Sequence, residues 1–540
     1  MGYPVFLFSS PNSRHYSPTF FVSCIVFPPF VHRYIYIFGL VAMAFGIMMG
    51  AIPSSVPMFL LGINWLLEGR FAEKWKTIKE QPALWVVVSP FLLHTIGLAW
   101  TTDWQVGMTD FRVRIPMLAV PLIMFTTPAL TIKETKTVLW FFIGGCLVST
   151  AWCLYYSLQL HPEISLREAS RFMSHIRLGM FLAMCLFVLG WLFLQAEKVW
   201  ISITSVLIFV YILLVMVTMA LFSGMFIFMA VLSIWSCYQL LRSQSWTLKI
   251  FGCLLPLVII AIPFAFLKQM HDAQLVPVDH ENNRVKNYTM AGNWYAMSDT
   301  TGQMENGFYV LRNIQPGELT RGWNAEHPDD LIDLANVKKA KRFGVLIRYL
   351  ASKGLCKDSV GYLALTKEDK ENIAQAIPNY KWPHWNAMQQ RAYELINEYD
   401  EFIHHRRVNG HSVSMRLYYW KAGLTVFSNN WLFGVGSGDV QQEMVRVFVS
   451  ENYPLEKEWF KRPHNQFINE AAALGGVGLI AFIALILVPF WQWRKSALVL
   501  YGLWLTSVVF SFLFEDTLET QAGVAYFTFF QGLFANTKKR

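Results

Sequence analysis

Long apolar blocks separated by short polar connections set the rhythm of the chain. The blocks run to roughly 17 to 22 residues, enough to cross a ~30 Å hydrocarbon core as helices. They fall near 34–51, 54–68, 83–100, 114–130, 138–158, 178–196, 199–221, 223–241, 250–267, 468–490, 497–513 and 522–536. The segment 18–31 is apolar as well, but Pro28 and Pro29 cut it, so it reads as a half-span or as sequence ahead of the true start. The pattern predicts an all-α polytopic membrane protein of about twelve transmembrane helices. Its parts are an N-terminal segment 1–33, a first bundle of about nine helices over 34–267, a large loop domain 268–467, and about three C-terminal helices with a basic tail over 468–540.

The loop between the ninth and tenth spans changes period rather than losing it. Residues 328–352 place Leu331, Leu334, Val337, Ala340, Val345 and Leu346 at helical spacing behind Pro328. Thr366 and Asp369 form a near capping box before Ile373 and Ile377. Further helices are expected near 386–406 and 412–428, with short strands near 307–312 in a polar stretch over 271–325. The loop is therefore predicted to be a folded, mainly helical unit.

Composition agrees with membrane insertion: 54% of the residues are hydrophobic and only 15% are charged, against about a quarter in soluble domains. Charge placement sets orientation, because positively charged short loops stay cytoplasmic. Alternate connections hold Arg70, Lys74, Lys76, Lys79, Lys133, Lys136, Lys198, Arg242, Lys249, Arg494, Lys495 and the tail Lys538, Lys539 and Arg540. The opposite short connections hold Arg112, Arg114, Arg167, Arg171 and Arg177, and 514–521 offers only Glu515, Asp516 and Glu519. Both termini are expected inside and the loop outside. The net charge of +9 is spread over membrane flanks, which fits anionic lipid head groups and argues against nucleic acid. Cys356 is the lone cysteine of the loop, and no cysteine or histidine pair has metal-ligand spacing, so neither a metal nor a cofactor is expected. His404, His405 and His411 read as a solvated helix end.

Candidate chemistry lies late in the loop. On the helix near 412–428, Arg416, Tyr419, Trp420 and Gly423 share one face. Gly434-Val-Gly436-Ser-Gly438-Asp439 follows, a turn whose amides can point together at an anion or simply end the helix. Then comes Arg462-Pro463-His464-Asn465 where the loop re-enters the membrane, nine residues, and Gly475-Gly-Val-Gly478. A histidine there can take a proton from a hydroxyl. Glycines at i and i+3 let another backbone or a lipid chain approach closely.

His-Asn, nine residues and Gly-x-x-Gly, placed after a large outer loop, resemble the O-antigen ligase and O-antigen polymerase superfamily of membrane glycosyltransferases. The Arg416 helix with its Gly434-Val-Gly436 turn, and Ser174-His175-Ile176-Arg177-Leu-Gly179 at the start of a span, are similar too. Ser223 is followed by Gly224 where many members carry Arg, and 271–411 has no counterpart. The resemblance implies a metal-independent enzyme with its loop in the periplasm and its helices in the bacterial inner membrane. It would move a glycan from undecaprenyl diphosphate to an acceptor hydroxyl, lipid A core for a ligase. His464 would be the general base, Arg416 and Arg177 the catalytic arginines at the diphosphate, and Gly434, Gly436, Asn465 and Arg462 substrate-binding residues. A polysaccharide polymerase or protein O-oligosaccharyltransferase uses the same chemistry. A transporter or flippase of a lipid-linked glycan is the reading from another class; against it, no charged residues are evident deep in several spans and no broken, repeated halves.

Overall fold

The computed structural model describes residues 27–160, 166, 168–274, 284–299, 303–403, 408–493 and 498–538. The apolar blocks become α1 (Pro29–Gly46), α2 (Ala51–Glu68), a short amphipathic α3 (Phe71–Glu80), α4 (Pro82–Gly97), α5 (Trp104–Thr126), α6 (Ile132–Tyr155), α7 (His175–Leu194), α8 (Val199–Thr218), α9 (Phe222–Leu241) and α10 (Trp246–Gln274). The loop holds α11 (Pro316–Glu326), α12 (Val337–Ser352), α13 (Ser359–Leu363), α14 (Lys367–Ala374), α15 (Ala387–Ile403), α16 (Ser414–Asn429) and α17 (Val440–Ser450). The chain then returns through α18 (Gln466–Trp493), α19 (Val499–Phe514) and α20 (Gln521–Ala535).

A helix occupies each of the twelve predicted blocks. Among the described residues, nine are long and apolar enough to cross a membrane. Of the rest, α19 and α20 are short. α5 starts at Trp104, about ten residues before the predicted 114, so Asp110, Arg112 and Arg114 lie within it. Its start is fixed by Asp103, whose carboxylate accepts the Val106 N–H (3.0 Å). Ser174 caps α7 and a Thr131–Glu134 capping box opens α6. The helix expected over 328–352 begins only at Val337, and the strands near 307–312 appear as the two-residue pair Met304–Glu305 and Phe308–Tyr309. The Thr366 capping box forms as read. Residues 1–26 and His404 and His405 lie outside the described residues.

Burial sorts the bundle. α7 and α20 are buried on nearly every face and form its centre, with Phe181 stacked on Tyr526 (4.1 Å between centroids). α8 and α10 leave Leu207, Leu214, Leu257 and Phe264 uncovered, as lipid-facing helices do. A Cβ on Gly224 would sit 2.4 Å from the Gly179 carbonyl oxygen, so α9 crosses α7 backbone to backbone, about half a turn beyond Arg177.

The connections gather at two ends. At one, Arg33 pairs with Glu134 (2.6 Å), the Ala83 N–H donates to Gln492 (3.1 Å), and Leu130 pairs with Asn536 (3.0 Å). At the other, the 514–521 connection, the starts of α7 and α18, and the α4–α5 turn meet the end of the loop. The loop has two parts. Its first has a core of its own around Trp323, Leu346, Leu350 and Ile373. Its second, α16 and α17, packs its apolar faces onto Ala472–Leu474 of α18.

Candidate active site

The turn 462–465 is held from three sides. Asn465 accepts the Ile468 N–H at Oδ1 (3.2 Å), capping α18, and donates through Nδ2 to the Leu513 carbonyl at the end of α19 (3.1 Å). Gly423 lets α16 lie against the turn, since a Cβ there would come within 2.6 Å of Ile468 Cγ2 and 3.0 Å of Pro463 Cγ. Tyr419 donates to the Trp459 carbonyl (2.6 Å) and sets its ring 5.7 Å from that of His464. His464 itself takes φ 49°, an uncommon left-handed conformation of the kind that concentrates at functional sites.

Around this turn, residues far apart in sequence converge on one carboxylate. Arg177 Nη2 donates to Glu515 Oε1 (3.3 Å), Arg416 Nη2 stands 3.9 Å from Glu515 Oε2, and His464 Nδ1 lies 4.0 Å from that same oxygen. Arg416 is aimed by two backbone carbonyls, those of Phe514 (3.1 Å) and Ser412 (2.7 Å). Arg177 Nε is buried with no hydrogen-bond partner among the described residues. His464 Nδ1 is 3.1 Å from Asp516 Oδ1. A carboxylate can only accept, so Nδ1 donates and the lone pair rests on Nε2, the arrangement a proton acceptor requires. Burial raises the Asp516 carboxyl, but its hydrogen bond and charge interaction with His464, helped by Arg462, outweigh this and hold it below its ordinary value. Glu515 goes the other way: burial, then the Asp516 charge beside it, push it up against the pull of Arg177, His464 and Arg416.

Residues 373–483 match the O-antigen ligase family. The matched stretch is about a fifth of the chain and contains Arg416, the glycine turn, and Arg462 to Asn465, while Arg177, Glu515 and Asp516 lie outside it. The resemblance read from the His464 and Gly475 spacing therefore holds over this stretch, which supports an O-antigen ligase- or polymerase-type family and lies in a chain with multiple apolar helices long enough to cross a membrane. No curated protein matches the chain.

Within the O-antigen ligase stretch, the expected substrate-binding residues are tied to protein groups. Arg462 pairs with Asp110 (3.1 Å) and, very closely, with Glu519, which Arg114 also holds. Asn465 is occupied as a cap. Gly434, at φ 69°, donates its N–H to Asn430 (2.9 Å); Gly436, at φ 100°, donates to Ala473 (2.9 Å). This turn grips a break in α18 at Gly475 (φ 65°), where the Gly476 N–H donates to Trp431 (2.7 Å). What the Gly475-x-x-Gly478 run admits is thus the backbone of 431–434. The two amides that suggested an anion cradle are spent on carbonyls.

In the sequence alone, Glu515, Asp516 and Glu519 stand out only as negative charge in a short connection. Three acids and no base beside a membrane edge are a signal in themselves, since buried acids need cationic partners. Titratable groups also stand within these helices toward the loop side: His94 of α4 bonds Glu470 of α18 (2.9 Å) and Ser437 (3.0 Å), and Asp110 and Arg114 are buried on α5. Hydropathy sums hide such charges because the apolar residues around them outweigh one or two polar ones, and the fold can carry them because each sits beside a polar or opposite partner. Asp439 is likewise engaged, accepting the amides of Thr102 and Asp103 (both 2.7 Å).

His464, Glu515 and Asp516 offer ligand atoms all within 4.8 Å of one another, a grouping that could hold a metal ion. The fit is poor on charge grounds. Two guanidinium groups already face Glu515, and their field opposes a divalent cation at the same carboxylate.

Proposed function

We propose that the protein is a metal-independent glycosyltransferase of the ligase type, moving a glycan from undecaprenyl diphosphate to an acceptor hydroxyl, that of lipid A core. The reaction would occur at the periplasmic face of the inner membrane, with 268–467 outside, both termini inside, and α5, α19 and α20 completing twelve spans. The observation that carries the reading is the meeting of Arg177, Arg416 and His464 around Glu515, although the first and last are separated by almost three hundred residues. A phosphate clamp and a base must act on the same bond, and entropy favours a site that holds them together beforehand.

In this reading the acceptor oxygen attacks the anomeric carbon while the bond from that carbon to the diphosphate oxygen breaks. The leaving diphosphate gathers charge, which Arg177 and Arg416 meet with planar forks suited to phosphate oxygens. His464 Nε2 receives the acceptor proton, a role worth roughly 10²–10⁴ in rate. Asp516 holds the imidazole in the tautomer this needs. The buried Asp110–Arg114–Glu519–Arg462 network fixes the floor beneath the turn.

The test is transfer by the purified protein in lipid nanodiscs, supplied with undecaprenyl diphosphate-linked glycan and either lipid A core, free polymer or a protein acceptor. Long glycan on lipid A core supports the ligase reading; glycan on either other acceptor moves the assignment to the polymerase or the protein O-oligosaccharyltransferase. Movement of the donor across a vesicle bilayer without any transfer would replace both with a flippase.

A further inference from the structure

Glu515 occupies the space in front of both arginines, which is where a diphosphate has to bind if the function proposed above is right. Its two oxygens are divided between them, Oε1 toward Arg177 at 3.3 Å and Oε2 toward Arg416 at 3.9 Å. Both contacts are slack beside the 2.7–2.9 Å usual for an N–H donating to a carboxylate across opposite charges. Arg177 keeps a buried Nε donor in reserve, and the Glu515 side chain is only 6% exposed.

We infer that Glu515 is a positioning residue that stands in for the donor's diphosphate, holding Arg177 and Arg416 as a pair in the empty site and surrendering them when the donor arrives. Without a counter-charge two arginines facing one small space would repel each other and turn away. With too firm a counter-charge no anion could displace it. The loose geometry lies between these limits, and burial together with Asp516 already disfavours the charged form of Glu515. Once the diphosphate takes the guanidinium groups, the nearest remaining donor for Glu515 is the His464 Nδ1–H, 4.0 Å from Oε2. Asp516 cannot serve as the stand-in, because its carboxylate is committed to His464 at 3.1 Å. Glu515 therefore sets donor affinity, whereas Asp516 orients the base.

The experiment measures binding of farnesyl diphosphate, a lipid diphosphate with no glycan, to full-length protein in nanodiscs, alongside the donor KM and kcat in the transfer assay. Glu515→Gln should bind the probe roughly tenfold more tightly, the scale of one hydrogen bond to a charged group. It should lower the donor KM by a similar factor, whereas a merely structural role would lower kcat and leave KM unchanged or higher. Glu515→Asp, which keeps the charge but draws it back by one methylene, should fall between wild type and Glu515→Gln; it carries the test alone if Glu515→Gln does not fold. Unchanged or weaker binding in these variants, with Arg416→Ala weakening the probe, would overturn the role of Glu515 and leave the arginine clamp standing. Equal binding by wild type and Arg416→Ala would remove the clamp itself, and this inference with it.

Discussion

Two buried carboxylates hold arginines in opposite ways. Glu305, in the first part of the loop, is fully buried and fully bonded: Arg348 Nε donates to Oε1 (2.8 Å), and Asn379 Nδ2 and Tyr393 OH donate to Oε2 (3.0 Å each). Glu515, at the bundle edge, is nearly as buried but faces two guanidinium groups and an imidazole at 3.3 to 4.0 Å, and one of the guanidinium groups retains an unpartnered donor. A saturated network has no capacity left for a ligand and belongs to the architecture. An unsaturated one keeps binding capacity in reserve, and at a membrane edge between an imidazole and two guanidinium groups that capacity suits a lipid-linked anion. Arg462 teaches the same lesson from the other side, since its sequence neighbourhood marks it as a binding residue and its saturation by Asp110 and Glu519 makes it part of the floor.

The largest effect should come from breaking the saturated network. Arg348→Ala would leave Glu305 buried and short of its charge partner, a loss on the order of 3–5 kcal/mol. Thermal unfolding of the purified protein should then show the loop domain melting far earlier, while an unchanged melting curve would erase the distinction between the two carboxylates. Arg177→Ala and Arg416→Lys should do the reverse, costing on the order of 2–4 kcal/mol in the transition state of transfer with little change in melting. The lysine variant is the sharper of the two, because a point charge cannot make parallel bonds to a diphosphate. Near wild-type kcat/KM for Arg416→Lys would take Arg416 out of the clamp.

The smallest effects are the most discriminating, because neighbouring acids should give opposite signs. Asp516 is held below its ordinary pKa of 3.8 in the folded state, so it adds stability above that pH and loses it as pH falls through the lower folded value. Asp516→Asn should therefore melt earlier at pH 7, with the difference closing in acid. Glu515 is raised above 4.5, so its charge costs stability at pH 7, and Glu515→Gln should melt slightly later there, the gain vanishing below about pH 4.5. Melting shifts of the same sign for both variants would contradict the geometry.

Much of this was legible in the chain. A helix lies in each of the twelve apolar blocks, nine of them long and apolar enough to span among the described residues, because hydrophobic length is a property of each segment alone. α5 starts earlier than its apolar block because Asp110, Arg112 and Arg114 look like a polar connection until the partners of Asp110 and Arg114, Arg462 and Glu519, are known. His464 and Arg416 stand out in a local pattern, and Arg177 in a second one almost three hundred residues earlier, and the fold brings all three to the same end of the bundle. Glu515 and Asp516 signal in the sequence only that buried acids need cations, and which cations those are appears only when α19 is brought beside α18. The glycine turn misled for a related reason: clustered glycines announce close approach, and what approaches here is the Gly475 break in α18.

The central claim is that His464 takes the acceptor's proton. Its most direct test is glycan transfer from undecaprenyl diphosphate by purified wild type and His464→Ala across pH 6 to 8, with probe binding and melting measured on the same samples. The expected result is a loss of roughly 10²–10⁴ in rate with folding and diphosphate binding intact. Transfer by His464→Ala at near wild-type rate over that range would contradict the general-base assignment.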